Sequence, residues 1–196
     1  MTKKPKIKEQ IETILESTNR GGIENILTWL EDSDFYKAPA STKYHNNHKG
    51  GLAEHSLSVY KTLDIISKIF GIDIPDDTLK IVGLLHDVCK VDIYKGVKVE
   101  IPPKRMSVFV KETIQYKHND TLPLGHGEKS VIQLIDNGLS LTKQEMLMIR
   151  WHMNMYDPAY DKRTQKSIDK YCPEARLLFF ADSISSSYLE KSFNVL

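Results

Sequence analysis

The sequence predicts a mostly α-helical chain carrying one small β-hairpin near residues 92–117. Three observations carry that reading. Apolar residues recur at helical spacing on both sides of the hairpin region. The run Ile81-Val82-Gly83-Leu84-Leu85 is apolar on every side, which marks a central, buried helix. Between 92 and 117 the period falls to near two, in β-branched and aromatic residues.

The elements follow in order. Ile7, Ile11, Ile14 and Leu15 predict a first helix over about 5–18, which Gly21-Gly22 breaks. Ile23, Ile26, Leu27 and Leu30 mark a short second helix, and the polar stretch Asp32 to Lys49 reads as loop around Pro39. Beyond Gly50-Gly51, the series Leu52, Leu57, Tyr60, Leu63, Ile66, Ile69 predicts a long helix closed by Gly71. Pro75-Asp76-Asp77 opens the next one, with acids where the helix dipole favours them, and its apolar positions continue to Val88. The hairpin arms fall at 92–101 and 107–117, with Pro102-Pro103 suited to the turn. Helices resume at about 126–136, 142–153 and 174–190. Nothing repeats and no low-complexity linker intervenes. The expectation is a single domain over 1–196, with a core of about 45–190 and the N-terminal helices of 5–31 packed on it.

Composition excludes several classes of function. The chain has 196 residues, 40% of them hydrophobic and 27% charged, the profile of a globular protein with a real core. A net charge of +1 gives no drive toward bulk DNA or an anionic membrane. The only cysteines, Cys89 and Cys172, form no C-x-x-C pair, so reduced thiols and a cytoplasmic address are expected. Lys3, Lys4, Lys6 and Lys8 precede no apolar run of signal-peptide type, and no stretch approaches the roughly 18 apolar residues of a membrane span.

The chemistry begins at His86-Asp87. A carboxylate following so apolar a run costs several kcal/mol unless it is paired, hydrogen-bonded or bound to a cation. On a continuous helix Lys90 lies one turn on and projects from nearly the same face as His86. Asp182 presents the same conflict after Leu177-Leu178-Phe179-Phe180-Ala181. Two buried acids from distant helices repel unless something positive lies between them. A divalent metal, for which imidazole nitrogen and carboxylate oxygen are common ligands, is the economical answer. His-Asp alone is weak, because chance supplies roughly half of one such dipeptide in a chain of this composition.

The combination is more specific. His45-Asn46-Asn47-His48-Lys49-Gly50-Gly51-Leu52-Ala53-Glu54-His55, then Leu84-Leu85-His86-Asp87-Val88-Cys89-Lys90, then Ala181-Asp182, resembles the HD-domain superfamily of metal-dependent phosphohydrolases. The likeness spans about 45–182 and follows the order H…HD…D. It implies an all-α core, divalent metal (Fe, Mn, Ni, Zn or Mg), and ligation by His55, His86, Asp87 and Asp182. It also implies hydrolysis of phosphomonoesters or phosphodiesters of nucleotides or short nucleic acid by metal-activated water. Cys89 departs from the H-D-x-G-K pattern of many members, and a cysteine suits a buried helix as well as glycine does.

His126, at a Gly-flanked helix start, and His152, at a helix end, extend the resemblance to members with an H…HD…H…H…D arrangement and two metals. The plain alternative is a capping His126 and a His152 placed at a C-terminal dipole. Lys90 and Arg150 are expected to neutralise phosphoryl charge beside Asp87. His48 and Lys49 are candidate substrate contacts, although solvated loop residues are the plainer reading for His45 and His48. A solvated face is likewise preferred for Lys95, Lys98, Lys104, Arg105, Lys111 and Lys117 of the hairpin over nucleic-acid binding beside Tyr94, Phe109 and Tyr116. His118 has no assigned part. The competing class is a non-catalytic HD fold that binds nucleotide and metal without turnover. Such degenerate members usually lose a ligand, and this chain keeps every one.

Overall fold

The computed structural model describes residues 6–101 and 111–190. Among them the helices are α1 (Ile7–Glu16), α2 (Ile23–Asp32), α3 (Gly51–Phe70), α4 (Asp76–Leu85), α5 (His126–Asp136), α6 (Lys143–Arg150), α7 (Lys162–Tyr171) and α8 (Glu174–Ile184). Strands β1 (Tyr94–Ile101) and β2 (Lys111–His118) pair antiparallel, with Tyr94 opposite His118 and Ile101 opposite Lys111. The expected mostly helical chain with one hairpin is what the structure shows. The Pro102-Pro103 turn and Lys104, Arg105 and Phe109 lie outside the described residues.

The core runs along α3. Leu52, Leu57, Val59 and Leu63 are buried there, and the helix packs against α1, α4 and α8. Gly83 permits α4 to approach α3 closely, since a Cβ on it would lie 2.6 Å from the Tyr60 Cα. A second close approach joins α5 to α6, where a Cβ on Gly127 would lie 2.2 Å from the Arg150 carbonyl oxygen. That contact sets His126, the first residue of α5, beside the end of α6 that leads to His152.

Three expectations need correction. The α4 helix does not run to Val88: it ends at Leu85, Asp87 leaves helical geometry (φ −109°, ψ 17°), and Val88–Lys90 form a separate 3₁₀ turn. Lys90 therefore shares no helical face with His86. The run before Asp182 is not buried all round, because Phe180 is 52% exposed and only Leu177, Leu178 and Ala181 are buried. The helix α7 was not anticipated. Its sequence KRTQKSIDKY buries only Ile168, so it carries no apolar period, and its start is fixed by the Asp161 side chain accepting from the Thr164 N–H. At the other end of the chain, α8 passes into a π-helical turn, Ser185–Leu189, that delivers Glu190. Among the described residues no helix is long and apolar enough to cross a membrane.

Candidate metal centre

Four elements meet around one carboxylate. Asp87 stands where α4 gives way to the 3₁₀ turn, and its side chain is almost fully buried. Its Oδ2 lies 3.4 Å from His55 Nε2 of α3, 3.7 Å from His86 Nε2 and 2.5 Å from Lys90 Nζ. Its Oδ1 lies 2.7 Å from His126 Nε2 of α5 and 3.5 Å from His152 Nε2 beyond α6. Asp182 of α8 completes the group, with Oδ1 3.3 Å from His55 Nε2. The structure thus brings together His55, His86, Asp87, His126, His152 and Asp182.

The histidine tautomers can be deduced. His86 Nδ1 is 3.1 Å from the Gly83 carbonyl and His152 Nδ1 is 2.7 Å from the Ile149 carbonyl. A carbonyl oxygen only accepts, so both Nδ1 atoms carry the proton and donate it. In the neutral ring, the lone pair of each Nε2 then faces the carboxylate of Asp87. Both Nε2 atoms are buried and without a hydrogen-bond partner. Lone pair against carboxylate is repulsive unless a cation lies between them, and donor spacings of 3.3–3.7 Å suit neighbouring ligands on one ion. The residues present therefore fit divalent metal. Holding Nδ1 through an outer acceptor is also how metal-binding imidazoles are usually aimed.

The electrostatics agree. Burial pushes the His86 pKa down to about 3, which keeps the ring neutral. Burial opposes a charge on His126 as well, but Cys89 and Asp87 outweigh it and hold this pKa up at about 10. His55 is likewise raised against burial, by Asp182, Asp87 and Glu190. Both acids remain ionised despite burial: Lys90 and His126 hold Asp87 far below the usual carboxylate range, and His55 does the same for Asp182. Lys90 is raised, since Asp87 outweighs its burial.

A cavity of about 420 Å³ opens onto this group. Asp87, Lys90, His126 and Asp182 line its floor, and Ser41, Ser183, Ser186 and Ser187 supply hydroxyls. Tyr94, Tyr156 and Phe179 form an aromatic wall, with the last two rings 6.1 Å apart. His45 also lines it. The Ser41 hydroxyl donates to the His45 carbonyl at 2.9 Å, turning the loop so that the ring faces inward, and burial lowers its pKa to about 4. The preference for a solvated His45 is therefore overturned.

Other sequence candidates lie elsewhere. His48 Nε2 is 3.3 Å from Glu54 Oε2, Lys49 is exposed, and neither lines the cavity. Arg150 does not reach it either. Its guanidinium is held by Glu128 and Asp157, each at 2.5 Å, and stacks on Trp151 at 3.8 Å. Sequence reasoning missed Glu190, whose carboxylate accepts from His55 Nδ1–H at 2.9 Å. Its one signal was its place two helical turns beyond Asp182. Tyr156 and the serines after Asp182 gave no signal, since a loop tyrosine and a serine-rich helix end are commonplace.

Comparison with known proteins agrees with this geometry. The HD domain family matches residues 52–187, which include all six clustered His and Asp residues. A curated relative, dihydroneopterin 2′,3′-cyclic phosphate phosphodiesterase of Methanocaldococcus jannaschii, is 25% identical over 143 residues, 71% of this chain. The chain spans about half the length of that relative, 51%. No solved structure matches. The chain belongs to the HD domain family.

Proposed function

We propose that this chain is a metal-dependent phosphodiesterase acting on a small phosphate ester that carries a flat heterocycle, a nucleotide or a nucleotide-like ester. The observation that carries the reading is the convergence of the buried, unpartnered His86 and His152 Nε2 atoms on the ionised Asp87. The two oxygens of Asp87 face different histidines, His55 and His86 on one side and His126 and His152 on the other. That division supports two ions sharing Asp87: His55, His86 and Asp182 would help hold the first, and His126 and His152 the second. Divalent ions bound there supply an activated water nucleophile and stabilise negative charge on the phosphoryl oxygens.

The chain's own residues do the rest. Lys90 presents its ammonium at the cavity floor, anchored on Asp87, where it offers positive charge to a phosphoryl oxygen. Asp182 and Glu190 orient the His55 ring from its two nitrogens. Serine hydroxyls line the cavity, and Tyr94, Tyr156 and Phe179 offer faces on which a planar ring can stack. The relative's name specifies a 2′,3′-cyclic phosphate. A cyclic diester is therefore the first substrate class to try. The complete ligand set favours this enzyme over a non-catalytic nucleotide-binding module.

The test is a substrate screen. Purified chain, stripped and reloaded in turn with Mn, Fe, Zn, Mg or Ni, is incubated with 2′,3′-cyclic nucleotides, nucleoside monophosphates, cyclic dinucleotides, short RNA and bis(p-nitrophenyl) phosphate. Turnover of a diester above the monoesters is expected. A folded, metal-loaded chain that hydrolyses none of them would refute the proposal.

A further inference from the structure

The chain's two cysteines are both buried, in different chemistry. Cys172 caps α7, with its Sγ 3.7 Å from the Gln144 carbonyl, and burial pushes its pKa up to about 12. Cys89 sits in the 3₁₀ turn between Asp87 and Lys90. Such a turn repeats every three residues, so Lys90 and Cys89 leave it in different directions. Lys90 goes to the cavity and Cys89 goes to α5, where its N–H donates to the Ser130 hydroxyl at 3.2 Å. The Cys89 Sγ lies 3.4 Å from both ring nitrogens of His126. Asp87, Cys89 and His126 each offer a donor atom within 4.8 Å of the others.

A second observation bears on the same carboxylate. His152 is fully buried, its Nε2 has no partner, and that atom lies 3.5 Å from Asp87 Oδ1. Its ring centre is 5.4 Å from that of His126. The thiol and the His126 imidazole therefore lie together beside Asp87, and the His152 Nε2 faces the Oδ1 of the same carboxylate.

We infer that Cys89 is a ligand of the ion on the His126 side of Asp87, giving a mixed sulfur, nitrogen and oxygen site from Cys89, His126 and Asp87. The inference rests on the metal-centre reading above. As the metal–sulfur bond forms, the thiol proton leaves to solvent and no oxidation state changes. The two halves of the centre then differ in preference. The half made by His55, His86, Asp87 and Asp182 offers only nitrogen and oxygen, whereas thiolate selects softer ions such as Zn, Fe or Co over Mn and Mg.

Cobalt(II) titration of the stripped chain tests this by absorption spectroscopy, with no assay of activity. The expected result is a near-ultraviolet sulfur-to-cobalt charge-transfer band in the wild type. It is lost in both Cys89→Ser and Cys89→Gly, while visible cobalt bands from the other half persist. Cobalt affinity of the altered half falls by about tenfold or more. If one variant fails to fold, the other and the wild-type spectrum still decide. Cobalt bound to the wild type without the band, or a band that survives either folded variant, overturns the role of Cys89 and leaves the metal centre standing. A chain that binds no cobalt overturns both.

Discussion

Chelation should destabilise the fold, and the size of the effect follows from the site. His86 and His152 each bury an Nε2 lone pair, with no partner, against the Asp87 carboxylate. A buried polar atom left unsatisfied costs about 1–3 kcal/mol. Two of them cost about 2–6 kcal/mol, which bound metal recovers by accepting both lone pairs. Linkage gives the same scale independently, since a ligand at one hundred times its Kd stabilises by about 2.7 kcal/mol per site. In a domain of this size each kcal/mol moves Tm by about 2–4 °C. Saturating Mn, Fe or Zn should therefore raise Tm by about 5–10 °C over the chain in chelator, and more if two sites fill. Differential scanning calorimetry at a fixed pH measures this. The Asp87→Ala variant, which removes the carboxylate at the centre, should show no metal-dependent shift. A wild-type Tm that moves by less than about 1 °C at saturation, or an equal shift in Asp87→Ala, would refute the reasoning.

Further outcomes follow from the same geometry. Glu190→Ala frees the Nδ1 side of His55 and should weaken metal affinity by about tenfold to a hundredfold, read by competition with a chromogenic chelator, with Glu190→Gln recovering part of it. Combining His126→Ala with His152→Ala should lower the metal count from two per chain to one by elemental analysis; an unchanged count of two would remove these histidines from the centre. Lys90→Ala should cut kcat while metal remains bound, and unaltered kinetics would dismiss its contact with the phosphoryl group. In the metal-free fold the pKa of His126 is raised to about 10, so its charged form stabilises that fold fully below the unfolded value near 6.5, and this contribution is lost as pH rises through about 10. Metal must displace that proton, so uptake at pH 7.5 should release protons, seen by calorimetry as a heat that varies with buffer ionisation enthalpy. A buffer-independent heat would contradict the protonated His126.

Much of the fold was legible because burial wrote it into the sequence. The run Ile81–Leu85 is buried at every position, and the helices α3 and α5 begin within a residue of where their patterns place them. The failures share one cause, which is that periodicity reports burial and nothing else. Helix α7 has one buried residue and so no period, although Asp161 at its N-cap was a local signal. The end of α4 was hidden for the opposite reason. Val88, Cys89 and Lys90 stay buried, so the apolar pattern continues while the backbone has already left the helix at Asp87.

The site was legible where chemistry conflicts with burial and illegible where it does not. Asp87 stood out because an acid in an apolar run needs a cation, and the residues around it proved to be histidines from three other segments of the chain. Glu190, Tyr156 and the serines near Asp182 break no such rule. Only the folded chain puts them at the cavity or behind a ligand. Arg150 is the converse case. A charge near the motif looked available for phosphate, yet Glu128 and Asp157 occupy both faces of its fork. Cys89 shows how local the difference is. On a continuing helix it would have been inert packing, as its small, apolar character suggested. One residue of non-helical backbone at Asp87 re-aims it, and the same thiol lies 3.4 Å from the nitrogens of His126.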